Sequence, residues 1–153
     1  MAGDVVSVER IIPAPPEAIF ALVADASRHT DIDGSGALVK LKAEAPHKLG
    51  AGSVFGMSMR MGLPYSMVNT VVEYEENRRI AWQAAPPSGF MARVSGGRIW
   101  RYELEPTVGG TRVRESWDIS RDKNRAILRV VAASQAKKSM EKTLERIEQL
   151  TAG

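Results

Sequence analysis

Cysteine is absent from the 153 residues, and histidine occurs only twice, at His29 and His47. The first absence excludes disulfides, thiolate nucleophiles and cysteine-based zinc or iron-sulfur sites, and it suits a reducing compartment. The second leaves little for a histidine-based metal centre, so no metal and no cofactor is expected. Long apolar runs are missing too. No stretch approaches the ~20 residues that span a bilayer, and the N-terminus "MAGDVVSVER" lacks a basic start followed by an apolar signal-peptide core. The expectation is a soluble, cytoplasmic chain without stable membrane insertion. Charge of one sign is scarce as well: 21 Lys and Arg are mixed with 18 Asp and Glu, for a net charge of +3. No nucleic-acid partner is expected from that balance, although Arg121, Lys123, Arg125, Arg129, Lys137 and Lys138 gather on one late segment. Nothing in the chain sets an oligomeric state.

What is present is an ordered series of elements without internal repeat or linker, read as one domain over residues 1–153. "DVVSVERII" is rich in β-branched residues and reads as a strand ending at Pro13. "APPEAIFALVAD" supplies prolines where a helix starts, then Ile19, Phe20, Leu22 and Val23 at helical spacing. "ASRHTDIDGSG" reads as a second short helix or turn. Strands follow at "ALVKLKAEA", "SVFGMSMRM", "YSMVNTVVEYE", "RRIAWQAA", "RIWRYELEP" and "TRVRESWDI", separated by turn signals that suit antiparallel hairpins. The segment from about Asp122 to Leu150 has neither proline nor glycine and is predicted to form one long helix. Its stripe Ala133, Ala136, Met140, Leu144 and Ile147 would pack against a strongly bent sheet.

Methionine stands at alternate positions in "FGMSMRMG", so Met57, Met59 and Met61 share one strand face with Phe55. Methionine is unbranched and adaptable, which suits either an irregular core or a wall that accepts varied apolar partners. Following face parity through tight hairpins pairs these methionines with Val68, Thr70, Val72 and Tyr74, and these in turn with Ile80 and Trp82. Arg98, Trp100, Tyr102 and Leu104 then share the inward face with Val113, Glu115, Trp117 and Ile119. All three tryptophans fall there. Two inward residues are charged, Arg98 and Glu115. A buried carboxylate is costly unless paired, so Glu115 is read as hydrogen-bonded within the core, reaching water at a strand edge, or orienting a polar group of a ligand together with Tyr102 or Trp100. His29, Asp31 and Asp33 resemble an acid/base trio on paper, but as neighbours at a spacing of two in a polar turn they are read first as capping groups. "GSG" does not sit between a strand and a helix as a dinucleotide fingerprint requires.

In the order "PPEAIFALVADASRH", "RRIAW", "WRYELEPTVGGTRVRESWD" and "MEKTLERIEQL", the chain resembles the helix-grip superfamily of START domains, birch-pollen-allergen-type proteins and polyketide cyclase/dehydrase and lipid-transport proteins. It is most similar to small single-domain actinobacterial members. The resemblance implies an α+β fold in which a curved seven-stranded antiparallel sheet grips a long C-terminal helix, with two short helices after the first strand and an apolar cavity between sheet and helix. The expected function is binding or transport of a hydrophobic small molecule such as a lipid or polyketide. Candidate ligand contacts are Met57, Met59, Met61, Thr70, Trp82, Arg98, Trp100, Tyr102, Glu115, Trp117, Met140 and Leu144. One alternative is a cyclase or dehydratase that uses Glu115 for proton transfer and Tyr102 as donor. The other is a protein-interaction module that uses the basic helix surface.

Overall fold

The computed structural model describes residues 3–35, 38–41, 48–61, 63–87 and 93–152. Strand β1 (Val5–Ile12) leads through Pro13 and Pro15 into helix α1 (Pro16–Val23), a 3₁₀ turn (Ala26–Arg28) and helix α2 (His29–Ile32). Strands β2 (Leu38–Leu41), β3 (Val54–Met61), β4 (Leu63–Glu75), β5 (Arg79–Ala85), β6 (Arg98–Thr107) and β7 (Gly110–Asp118) follow, then helices α3 (Arg125–Val131) and α4 (Ala133–Thr151). Among the described residues no helix is long and apolar enough to cross a membrane.

The fold is α+β, with an open antiparallel sheet and a C-terminal helix. Strands β3 to β7 form a meander, and β1 closes onto β7 with Val8 opposite Glu115. The four-residue β2 adds at the β3 edge with a shift of register between Leu38 and Lys40. Helix α4 lies in the sheet's curve, burying Ala136, Met140, Leu144 and Ile147 against a core that includes Val8, Ile12, Ile80, Tyr102, Val113 and Trp117. Helix α1 covers the same side with Ile19, Phe20, Leu22 and Val23, four residues at the spacing of a helical face.

Two glycines set close approaches. A Cβ on Gly110 would strike the Ile12 carbonyl, so the β6–β7 hairpin can fold directly over the end of β1. One on Gly34 would strike the Ser139 carbonyl of α4, and the Gly34 amide instead donates to Thr143 Oγ1 at 2.9 Å. The residues after α2 are thereby clamped to α4, and Arg146 adds a hydrogen bond to the Asp33 carbonyl. Asp33 and Gly34 thus act in packing.

Two expectations are corrected. The final segment is helical but breaks at Ala132, with φ −119° and ψ −13°. The break follows the consecutive β-branched residues Val130 and Val131, which fit a helix less well than unbranched residues. The second correction concerns β4. Odd residues of β3 pair with odd residues of β4, Met57 with Met67 and Phe55 with Asn69, so Asn69 and Val71 point inward while Thr70 and Val72 are exposed. A bulge between Val71 and Glu73 then inserts one residue and restores the even parity, setting Tyr74 opposite Ile80. From β5 onward, the inward residues are the expected ones.

Candidate functional site

Three strands set the site's floor. Trp82, Trp100 and Trp117 lie in one cross-strand row, and Ile80, Tyr102 and Glu115 lie in the row two residues away. Directly opposed antiparallel residues share a face, so both rows look toward the helices. Trp82 is held by rings on three sides: His29 stacks on it at 4.9 Å, Phe55 meets it edge-on at 5.5 Å, and Tyr102 tilts against it at 5.6 Å. Tyr102 stands directly opposite Glu115 across β6 and β7. A continuous lining therefore runs from α2 across β5 and β6 to β7.

His29 is buried, contrary to its reading as a capping group. Its Nε2 lies 2.8 Å from the Val23 carbonyl at the end of α1, and since a carbonyl only accepts, Nε2 carries the proton. Burial lowers its pKa against the opposing effect of the Val23 bond, so the ring is neutral and Nδ1 offers a lone pair. Asp31, by contrast, is exposed and pairs with Arg28 at 2.6 Å. Asp33 does cap its own turn, accepting from the Ser35 amide at 3.1 Å and the Leu38 amide at 3.0 Å.

Glu115 is 3% exposed, and burial raises its pKa well above the ordinary carboxylate value; the neighbouring Tyr102 hydroxyl opposes this and the Asp33 charge adds to it. Burial therefore favours its protonated form over the carboxylate. The Tyr102 hydroxyl is pushed up by burial and by Glu115, and stays protonated. His29 Nδ1, Glu115 Oε1 and Asn69 Nδ2 are buried with no hydrogen-bond partner among the described residues. At the neighbouring end of the inner face, Arg98 Nε faces Asp122 Oδ2 at 3.3 Å, with the Asp122 side chain fully buried. The site thus combines an acid that can donate, an imidazole that can accept and an amide that can donate, set among aromatic and aliphatic walls. Among the described residues no three His, Asp or Glu gather to hold a metal ion.

Of the expected contacts, Met57, Trp82, Tyr102, Glu115, Trp117, Met140 and Leu144 are buried, and Met59 and Trp100 pack against the same core half-buried. Arg98 is half-buried and ion-paired. Thr70 is not part of this lining. It points to the other face of the sheet, where with Gln83, Gly97 and Arg121 it lines a hollow of about 400 Å³. The side chain of Met61 and all of His47 lie outside the described residues. Sequence reasoning missed His29, Asn69 and Asp122. The available signal for His29 was its spacing of three from Ile32, which places both on one helical face.

A family model described as "Polyketide cyclase / dehydrase and lipid transport" matches residues 4–151. The chain belongs to that family. Hydrophobic ligand binding is a property at the level of this family, within the helix-grip superfamily. Among curated relatives, the uncharacterized protein Rv0088 of Mycobacterium tuberculosis is 38% identical over 111 residues, covering 70% of this chain and 44% of its own. The chain therefore spans less than half the length of that relative. Among solved structures, protein CV1439 from Chromobacterium violaceum superposes with a TM-score of 0.74 at 14% identity, covering 99% of both chains. DynU16, from the dynemicin biosynthetic locus, superposes with a TM-score of 0.64 at 16% identity, covering 96% of this chain and 46% of its own. At such identities these two structures speak for the fold alone.

Proposed function

We propose that this protein binds and carries a hydrophobic small molecule, of lipid or polyketide type, between the sheet and α4, as a soluble cytoplasmic carrier. We take β2 as the seventh strand of the grip, which with α1 and α2 closes the open side of the sheet. The observation that carries the reading is the pair of buried, unpartnered atoms, His29 Nδ1 and Glu115 Oε1, on one aromatic lining. A purely structural core loses free energy by leaving such atoms unpaired. A ligand with an apolar body and a hydroxyl or carbonyl end supplies what they lack: the Glu115 acid donates to a carbonyl, and His29 accepts from a hydroxyl. Met57, Met59, Trp100, Met140 and Leu144 form the compliant apolar wall.

The test is native mass spectrometry of the purified protein, then identification of any released molecule and its rebinding to Glu115→Gln and His29→Phe. Retained apolar molecules that rebind at least about tenfold more weakly to either variant support the reading, since one hydrogen bond to a neutral group carries about 1 kcal/mol and an orphaned partner adds to that. Unchanged affinity in both variants would sink it.

A second reading rests on the same pair. A neutral acid and a neutral base on one lining can move protons in opposite directions, as dehydration or cyclisation requires, with the apolar enclosure holding a flexible chain in a reactive fold. Turnover that vanishes in Glu115→Gln while binding persists would convert the carrier into an enzyme.

A further inference from the structure

We propose that helix α3 is a docking face for an anionic lipid surface. In α3, Ile127, Val130 and Val131 stand at spacings of three and four, the spacing that normally marks a buried helix face. Here they are 63%, 81% and 68% exposed. The inward side of the same helix is supplied by Leu128, which together with Ala132 packs against the core. Val94, 41% exposed, joins the outward aliphatic group, because Asn124 Nδ2 donates to the Val94 carbonyl at 3.0 Å just before α3 begins. Other exposed aliphatic residues, such as Val5, Val54, Val72 and Val108, are dispersed over strands and turns. Single exposed apolar residues are ordinary surface; a shared helical face is not.

Charge identifies the occupant. Residues 119–140 carry six Lys and Arg and a single carboxylate, Asp122, which is buried against Arg98. The whole chain has a net charge of only +3, so outside this segment acidic residues outnumber basic ones. Arg129 is engaged with Asp4, but Arg121, Arg125, Lys137 and Lys138 form no ion pair with a described residue. Arg125 also donates to the Ser120 carbonyl at 3.2 Å, which anchors the start of the helix. An aliphatic ridge rimmed by cations matches a surface that presents anionic head groups over an apolar layer. A second copy of this chain would set the same cations against each other. A nucleic acid offers no apolar layer for Ile127, Val130 and Val131.

The place of α3 in the fold gives the docking a consequence. Asp122, three residues before α3, is buried beside Arg98 on the inner face of β6, and Ala132 and Ala133 at its other end pack on the core. The helix therefore spans the rim of the interior, and docking brings that rim to the lipid surface. This inference does not depend on which molecule the interior holds.

The experiment is co-sedimentation of the full chain with phosphatidylcholine vesicles, with and without phosphatidylglycerol, over a series of salt concentrations. Expected is binding to the anionic vesicles at least about tenfold tighter than to the neutral ones, weakening as salt rises. Ile127→Asp/Val131→Asp should lower it by a further factor of about ten or more. Lys137→Glu/Lys138→Glu should lower it also, and both variants should keep the parent's thermal midpoint because all four side chains are exposed. Equal binding to both vesicle types, no binding to either, or full binding by the aliphatic variant would overturn the proposal. So would a concentration-dependent dimer in sedimentation that the aliphatic variant abolishes, which would assign the face to self-association.

Discussion

The two faces of the sheet treat polar side chains in opposite ways, and the contrast is sharpest one residue apart. On the outer face, Arg101 binds Glu73 through Nε at 2.9 Å and Nη2 at 2.7 Å, and reaches Asp118 through Nη1 at 3.4 Å. Ala81 lies opposite both Glu73 and Arg101, and its small side chain lets the guanidinium cross β5. Ser7 and Ser116 pair at 2.8 Å beside this network, and Arg114 donates to Glu9 at 2.7 Å. On the inner face, next in sequence to Arg101 and Ser116, stand Tyr102 and Glu115, and there Glu115 Oε1, Asn69 Nδ2 and His29 Nδ1 go unpaired. The chain can evidently satisfy its polar groups wherever only stability is at stake. Leaving them open inside, where each costs most, is the contrast on which the proposed ligand site rests.

The widest gap between the faces should come from truncating Trp82. Trp82→Ala removes the ring that touches His29, Phe55 and Tyr102, and is expected to cost about 3–5 kcal/mol in denaturant unfolding, in the range of buried aromatic truncations. A cost below 1 kcal/mol would mean that the lining has room to collapse, and would weaken the case for a shaped interior.

Next in size is the pH response. Glu115 has its folded pKa raised, chiefly by burial, so it binds a proton in the folded chain that the unfolded chain gives up above the ordinary carboxylate value of 4.5. Its contribution is full below that value and is lost as pH rises toward the folded pKa. His29 has the opposite sign: burial lowers its pKa below 6.5, so its contribution is present above 6.5 and is lost as pH falls through the folded value. Between 4.5 and 6.5 the two slopes oppose each other. Glu115→Gln should therefore gain stability relative to the parent as pH rises above 4.5, seen in urea midpoints across a pH series, and His29→Phe should gain relative to it as pH falls below 6.5. Parallel curves for parent and variants would show that neither group titrates differently on folding.

How much of this was legible follows from where the signal lay. The inward faces of β5, β6 and β7 could be read because aromatic and charged residues alternate cleanly and tight turns carry parity from one strand to the next; that pattern put Glu115 opposite Tyr102 or Trp100, and the register sets it opposite Tyr102. The α1 face and the α4 stripe were equally plain. The odd-to-odd pairing of β3 with β4 reversed the expected parity for Val68, Thr70 and Val72, and the β4 bulge, which carries no side-chain signature, restored it by Tyr74. His29 was hidden by its neighbours Thr30, Asp31 and Asp33, which make the segment look solvent-facing, and its burial depends on Trp82, far along the chain. Asp122 was passed over for the same reason, since its partner Arg98 lies on β6. The alternation of a strand is local and can be read. A partner supplied by another element cannot.

On the outer face, Arg101→Met should cost about 1–2 kcal/mol, the sum of a few partly exposed charged contacts, and the loss should shrink at high salt. Glu73, whose pKa the Arg101 bond now lowers, would return toward its ordinary value, observable by NMR titration. Affinity for any molecule held inside should not change. If binding fell as much as in Glu115→Gln, the two faces would be coupled through β6 and the division between them would fail.

The smallest effect is expected at Thr70, and it bears most directly on the register. If Thr70 pointed inward as strand parity first suggested, Thr70→Val would replace a buried hydroxyl among apolar residues and change both stability and ligand affinity. In the observed register it is exposed beside the outer hollow, while its neighbour Val71 is buried at 3% exposure. Thr70→Val should then shift stability by no more than about 0.5 kcal/mol and leave ligand affinity unaltered. A larger change in either quantity would place the bulge elsewhere in β4 and turn Thr70 toward the interior, and with it the wall that faces Met57 would have to be redrawn.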